Sequence, residues 1–162
     1  VGSFGDAMEN LHHFGLVPVI HQVVQEQTPF LGICLGLQLL FEKSEESPGV
    51  EGLGILKGEI LRIPAAEGLK IPHMGWNNIK FPNKGRLFEG VPEDSYVYFV
   101  HSYYLKAQDE KIVTATTEYG THIHASVESG NLFACQFHPE KSSHVGLQIL
   151  KNFAKLEGKG GR

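Results

Sequence analysis

Two short stretches, about a hundred residues apart, hold the residues most able to do chemistry. Gly32-Ile33-Cys34-Leu35-Gly36 follows an apolar run, and Gln136-Phe137-His138-Pro139-Glu140 follows another near the end of the chain. A cysteine with glycines two residues to either side suits a sharp strand-to-helix turn, where bulky neighbours would clash. Such a turn presents the thiol at a helix N-terminus, where free N–H groups and the helix dipole favour the thiolate, the nucleophilic form. His138 and Glu140 stand at i and i+2, so in an extended segment their side chains share one side, and Pro139 keeps His138 out of helical geometry. The chemistry implied is a nucleophilic triad: Cys34 attacks a carbonyl, His138 shuttles the proton, and Glu140 holds the imidazole in the useful tautomer. Each stretch alone has a plainer explanation, a tight turn around a buried thiol or the end of a strand. Together, each behind an apolar run, they favour the triad.

Positioning these groups requires elements around them. Asp6 suits the N-cap of a helix to about His13, and Pro18 the first turn of a second helix with Val19, Ile20, Val23 and Val24 on one face. Phe30 to Ile33 reads as a buried strand and Gly36 to Lys43 as the helix behind the elbow, with Leu39 and Leu40 inward. The Ser-, Glu-, Pro- and Gly-rich stretch 44–54 is a loop. Strands are expected at 58–63, 76–81, 95–100, 112–117, 124–127 and 132–137. Residues 143–156, with Val145, Ile149, Leu150 and Phe153 apolar, close the chain as a helix capped by Ser142 or Ser143. The pattern is α/β: a sheet with helices on its faces and an antiparallel patch inserted.

Composition narrows the class. The 162 residues, 41% hydrophobic and 20% charged, suit one domain over 1–157, with a disordered tail at 158–162. A net charge of −4 without a basic run argues against nucleic acid, and no apolar stretch is long enough for a membrane span, so a cytoplasmic protein is expected. Two cysteines make no disulfide framework, so Cys34 reads as a free thiol and Cys135 as a small core residue, although a bridge between them is compatible with the sequence. His12, His13, His122 and His124 offer no third ligand at a metal-binding spacing, and neither metal nor cofactor is expected.

The two stretches, Gly-Ile-Cys-Leu-Gly-Leu-Gln at 32–38 and Gln-Phe-His-Pro-Glu at 136–140, resemble those of class I glutamine amidotransferases, whose fold is a flavodoxin-like open sheet flanked by helices. Pro-His-Met-Gly-Trp-Asn at 72–77, Phe-Val-His-Ser-Tyr at 99–103, Glu-Lys-Ser-Ser at 140–143 and the opening Val-Gly-Ser-Phe-Gly resemble, more narrowly, the glutaminase subunits of imidazole glycerol phosphate synthases. The resemblance runs through the chain up to its glycine-rich tail. It departs at the start, where family members carry a strand, a helix and a further strand ahead of Val1, so the chain reads as N-terminally truncated.

The resemblance implies hydrolysis of L-glutamine, with an oxyanion site formed by the Leu35 amide and an amide at Val1 or Gly2. It also implies substrate contacts by Gln38, Glu46, His101, Ser102, Tyr103, Ser142 and Ser143. Met74, Trp76, Asn77, Tyr98 and Lys141 would face a TIM-barrel cyclase subunit that receives the ammonia in a heterodimer. Judged by residue type alone, Gln38 and Glu46 are surface groups, Tyr103 a half-buried sheet aromatic and Trp76 a core residue. The rivals are a sister amidotransferase of the anthranilate or aminodeoxychorismate type and a non-catalytic interaction module.

Overall fold

The computed structural model describes residues 2–157; Val1 and the expected tail at 158–162 lie outside the described residues. Helix α1 spans Phe4–His13 and α2 spans Leu16–Gln25, followed by strand β1 at Phe30–Ile33 and the short helix α3 at Leu35–Leu39. Strands β2 (Lys43–Ser44), β3 (Gly58–Arg62), β4 (His73–Asn78), β5 (Tyr96–His101), β6 (Tyr103–Ala107), β7 (Val113–Glu118), β8 (His122–Ser129) and β9 (Leu132–Cys135) follow, and α4 covers Ser143–Ala154. A 3-10 turn at Pro139–Lys141 joins β9 to α4.

The large sheet runs β1-β9-β8-β6-β3-β2, with β7 on β8; β4 and β5 form a separate antiparallel hairpin. Parallel pairing occurs at β1·β9 and β2·β3, and the other ladders are antiparallel. This is the α/β arrangement expected, with the antiparallel part larger than a patch. Strand β9 shows why its sequence is apolar throughout. Leu132 and Ala134 enter the core under α1, α2 and α3, whereas Phe133 and Cys135 enter the core under α4, so the strand is buried on both faces.

Several boundaries differ from those the sequence suggests. Ser3, not Asp6, caps α1: its Oγ accepts the N–H of Asp6 at 3.1 Å, which puts Asp6 in the first turn. Helix α3 is much shorter than the apolar spacing suggests, because residues beyond Leu40 bend into the segment leading to β2. Helix α2 rests on the core through Val17, Ile20 and Val24, and Val19 is exposed. Strand β6 is not announced by any alternating pattern, since Tyr104, Leu105 and Ala107 are all buried between β3 and β8. Ser142 precedes α4 as expected but does not cap it: its hydroxyl accepts the Tyr98 N–H at 2.9 Å and donates to the His138 carbonyl at 2.6 Å.

Two close approaches fix the segments that carry the chemistry. A Cβ on Gly32 would come within 2.9 Å of the Gly36 backbone, whereas one on Gly36 would meet nothing within 4 Å. Only the first glycine of the pair is therefore required for space. The second approach lies on α4, where a Cβ at Gly146 would sit 1.8 Å from the Pro139 carbonyl oxygen, in the turn that carries Glu140. Gly32→Ala and Gly146→Ala should each cost about 1–3 kcal/mol in denaturant unfolding, since backbone must move to make room. Gly36→Ala should be neutral or stabilising by up to about 1 kcal/mol, because it replaces a helical glycine in open space.

Candidate active site

Cys34 sits between β1 and α3 with φ 57° and ψ −109°, a strained conformation for a residue with a side chain. The adjoining ladder holds it there. Ile33 pairs with Cys135 across β1·β9, and the Cys34 N–H donates to the Cys135 carbonyl at 2.7 Å. The thiol Sγ lies 3.8 Å from the Val100 carbonyl oxygen and 3.6 Å from Nε2 of Gln136. The parallel ladder brings the chain beyond β9 alongside Cys34, so His138 and Glu140 follow from the strand next to the thiol's own. The His138 N–H donates to the Tyr98 carbonyl at 3.0 Å, which fastens this segment to the hairpin.

Nδ1 of His138 is 2.7 Å from Oε2 of Glu140. The carboxylate can only accept, so Nδ1 carries the proton and Nε2 is left free to act as a base. The pair forms differently from the expected extended i,i+2 arrangement: His138 is extended, but residues 139–141 turn into a 3-10 helix that swings Glu140 back to the ring.

The thiol also departs from expectation. Burial pushes its pKa above the ordinary value, and this outweighs the hydrogen bond from the Leu35 N–H and that from Gln136. Glu140 raises it further and Lys141 lowers it. The short helix therefore does not yield a resting thiolate; the group rests as a thiol that needs a base. Cys135, fully buried, is pushed up to about 12, and both cysteines are free.

Beside Cys34 lies an open cavity of about 230 Å³, lined by Gly2, Leu35, Gln38, Glu46, Arg62, Val100, His101, Ser102 and Tyr103. Seven of the residues expected at the substrate therefore come together: Gly2, Leu35, Gln38, Glu46, His101, Ser102 and Tyr103. Gln38 is buried rather than exposed, and its Nε2 donates to the Tyr103 carbonyl and to Oε1 of Gln136, both at 3.0 Å. Glu46 accepts the Phe4 N–H at 3.0 Å, which ties the loop to the start of α1 and so to Gly2. Ser142 and Ser143 do not line the cavity. Ser142 is wholly buried in the contacts that join Tyr98 to His138, and Ser143 begins α4 with φ 56°. Arg62 and Gln136 are missed by sequence reasoning. The one signal for Gln136 is a lone amide in an otherwise apolar run, while Arg62 looks like any exposed arginine at a strand end.

On the hairpin, Met74, Trp76 and Tyr98 share the outer face, with Tyr96 beside them. Met74 is 63% exposed, Trp76 52% and Tyr96 58%, and the Trp76 and Tyr98 rings meet edge to face at 6.0 Å. Asn77, expected with them, projects to the opposite side, as strand alternation requires, and donates to the Glu118 carbonyl at 2.9 Å. Lys141 is exposed. His124 is buried and its Nδ1 accepts the Ala107 N–H at 3.0 Å, a structural use of the ring. Among the described residues no group of His, Cys, Asp and Glu has the makings of a metal site.

A model of the family "Glutamine amidotransferase class-I" matches residues 2–156. The chain belongs to the class I glutamine amidotransferases. Curated members similar to this amidotransferase include the "Imidazole glycerol phosphate synthase subunit HisH" of Moorella thermoacetica, 56% identical over 96% of this chain and 73% of the relative. The proteins of the same name from Aquifex aeolicus and Bacillus subtilis are 52% and 49% identical, over 96% of this chain and 74% and 75% of theirs. Among solved structures, a "Crystal structure of glutamine amidotransferase" aligns with TM-score 0.66 at 19% identity, covering 94% of this chain and 76% of its own. At that identity the likeness speaks for the fold alone.

Two buried histidines in this amidotransferase are held neutral. Burial takes both His73 and His101 from 6.5 down to about 4. Below about pH 6.5 the unfolded chain binds protons at these positions that the folded chain refuses until about pH 4, so stability must fall across that window as pH drops. Denaturant midpoints measured from pH 7 to pH 4 should decline, and His73→Phe should flatten the part of the decline due to that residue.

Proposed function

We propose that Cys34, His138 and Glu140 are the catalytic triad by which this chain acts as the glutaminase subunit of an imidazole glycerol phosphate synthase. The observation that carries the reading is the strained Cys34 elbow opening on the cavity, with the His138–Glu140 pair issuing from the adjacent parallel strand.

The cavity suits a zwitterionic amide. Glu46 and Arg62 are the charged side chains of opposite sign in its lining, fitted to an α-ammonium and an α-carboxylate. With glutamine so held, Cys34 Sγ attacks the side-chain carbonyl carbon while Nε2 of His138 takes the thiol proton. The Leu35 N–H, which already reaches the sulfur, is the nearest donor for the developing oxyanion, with the backbone at Gly2 on the same rim. Collapse of the tetrahedral adduct expels ammonia, protonated by His138, and leaves a γ-glutamyl thioester. Water, deprotonated by the same nitrogen, then hydrolyses it to glutamate and restores the thiol. Glu140 orients the ring and balances its charge throughout.

The ammonia passes to the cyclase subunit, which forms imidazole glycerol phosphate and aminoimidazole carboxamide ribotide in histidine biosynthesis. The face of exposed Met74 and Trp76 and half-buried Tyr98, adjoining the segment that carries the base, is the surface we assign to that partner, with exposed Tyr96 added to it and Lys141 on the turn that carries Glu140. No helix is long and apolar enough to cross a membrane among the described residues, and the reading places the enzyme in the cytoplasm. No observation favours a synthase of the anthranilate type.

In the assembled synthase, Cys34→Ala should abolish glutamine-dependent turnover and leave turnover with added ammonia intact; surviving glutaminase activity would remove Cys34 from its role. Arg62→Ala should raise KM for glutamine about tenfold or more, with kcat changed little. The same substitution should leave unaltered the weak turnover of an analogue lacking the α-carboxylate.

A further inference from the structure

His73 lies behind the hairpin, away from the thiol and the cavity lining, yet it is joined to both by an unbroken series of hydrogen bonds. The direction of each follows from the one before. Nδ1 of His101 is 2.8 Å from the Tyr103 carbonyl, which can only accept, so Nδ1 bears the proton and Nε2, in a neutral ring, is bare. Nδ1 of His73 is 3.0 Å from that bare nitrogen and must donate to it. Nε2 of His73 is then an acceptor, and the Asn77 amide stands 3.4 Å away while also donating to the Glu118 carbonyl. Asn77 Oδ1 accepts the Asn78 N–H, which agrees with this orientation of the amide.

The series continues into the active site. The Tyr103 carbonyl that receives His101 also receives Gln38, and Gln38 donates to Gln136, whose amide reaches the Cys34 sulfur. Packing holds the His73 ring in the one orientation that serves this purpose: it is stacked between Phe99, at 4.7 Å, and Tyr119, at 3.9 Å. In the β4·β5 ladder His73 stands directly opposite His101.

We propose that His73 is a positioning residue for the glutamine pocket: its Nδ1–H pairs the bare Nε2 of His101 and holds that ring where its own Nδ1–H reaches the Tyr103 carbonyl, and so keeps that carbonyl and the Gln38 amide in the arrangement that receives substrate. Without that donor the bare Nε2 of His101 is buried and unpaired, and the ring gains by turning toward another donor. Such a turn withdraws a donor from the Tyr103 carbonyl on the pocket rim. The proposal rests on the reading of the cavity as the glutamine site.

Two substitutions separate the hydrogen bond from the packing. His73→Phe keeps an aromatic ring between Phe99 and Tyr119 and removes the N–H; His73→Asn keeps a donor near the position of Nδ1 and removes the ring. In the assembled synthase, His73→Phe should raise KM for glutamine about tenfold, as for loss of one buried hydrogen bond, with kcat within about threefold. His73→Asn should retain a KM near that of the parent despite a lower Tm. Imidazole 15N shifts should show His101 as the Nδ1–H tautomer in the parent, with its Nε2 resonance moved to that of an unpaired acceptor nitrogen in His73→Phe. An unchanged KM in His73→Phe, or a KM raised equally in both variants, would overturn the proposal. So would an Nε2–H tautomer in the parent, a measurement that does not depend on either variant folding. Ammonia-dependent turnover should be unaffected throughout, and a parent enzyme that fails to use glutamine would instead reject the reading of the cavity.

Discussion

The parallel pairing of β1 with β9 is the constraint on which the site depends. One ladder sets Ile33 against Cys135, and one further hydrogen bond, from the Cys34 N–H to the Cys135 carbonyl, carries the register past the end of β1 into the elbow. Beyond Cys135 come Gln136, which touches the thiol, and His138, the base we propose. A slip of one residue would send alternate side chains to the wrong face and separate the groups. Burial of β9 on both faces makes such a slip costly. The geometry of the proposed triad is thus maintained by the same apolar contacts that maintain the fold.

Burial also sets protonation. The surroundings that fasten Cys34 raise its pKa, so the helix N-terminus does not deliver a ready thiolate, and in the proposed chemistry His138 takes the proton at the moment of attack. The same low polarity keeps His73 and His101 neutral, which allows each ring one donor and one acceptor and makes a directed series of hydrogen bonds possible. Charge is confined to the open parts of the site: Glu46 and Arg62 at the cavity, and Glu140 and Lys141 on the turn.

Much of this was legible in the chain. The proposed triad can be read because its members lie close to one another in sequence or stand next to strong apolar runs, and β1, β9 and α4 follow from those runs. What could not be read depends on the contacts made by residues distant in sequence. Arg62 enters the cavity only because β3 lies beside β6 and Tyr103. Gly146 matters only because α4 packs on the Pro139 carbonyl, and Ser142, which looks like a cap, is used instead to join β5 to the turn. A shared motif groups Asn77 with Trp76, although strand alternation sends adjacent residues to opposite faces. His73 gave no signal of its own, since its role lies in a tautomer set by a neighbour on another strand.

In the proposed chemistry Cys34, not the buried Cys135, carries the γ-glutamyl group. Acid-quenching the assembled synthase during glutamine turnover, followed by peptide mass spectrometry, tests it directly. An increment of one γ-glutamyl group is expected on the peptide containing Cys34, absent when asparagine replaces glutamine. An unmodified Cys34 peptide under active turnover, or the increment found on the peptide containing Cys135, would contradict it.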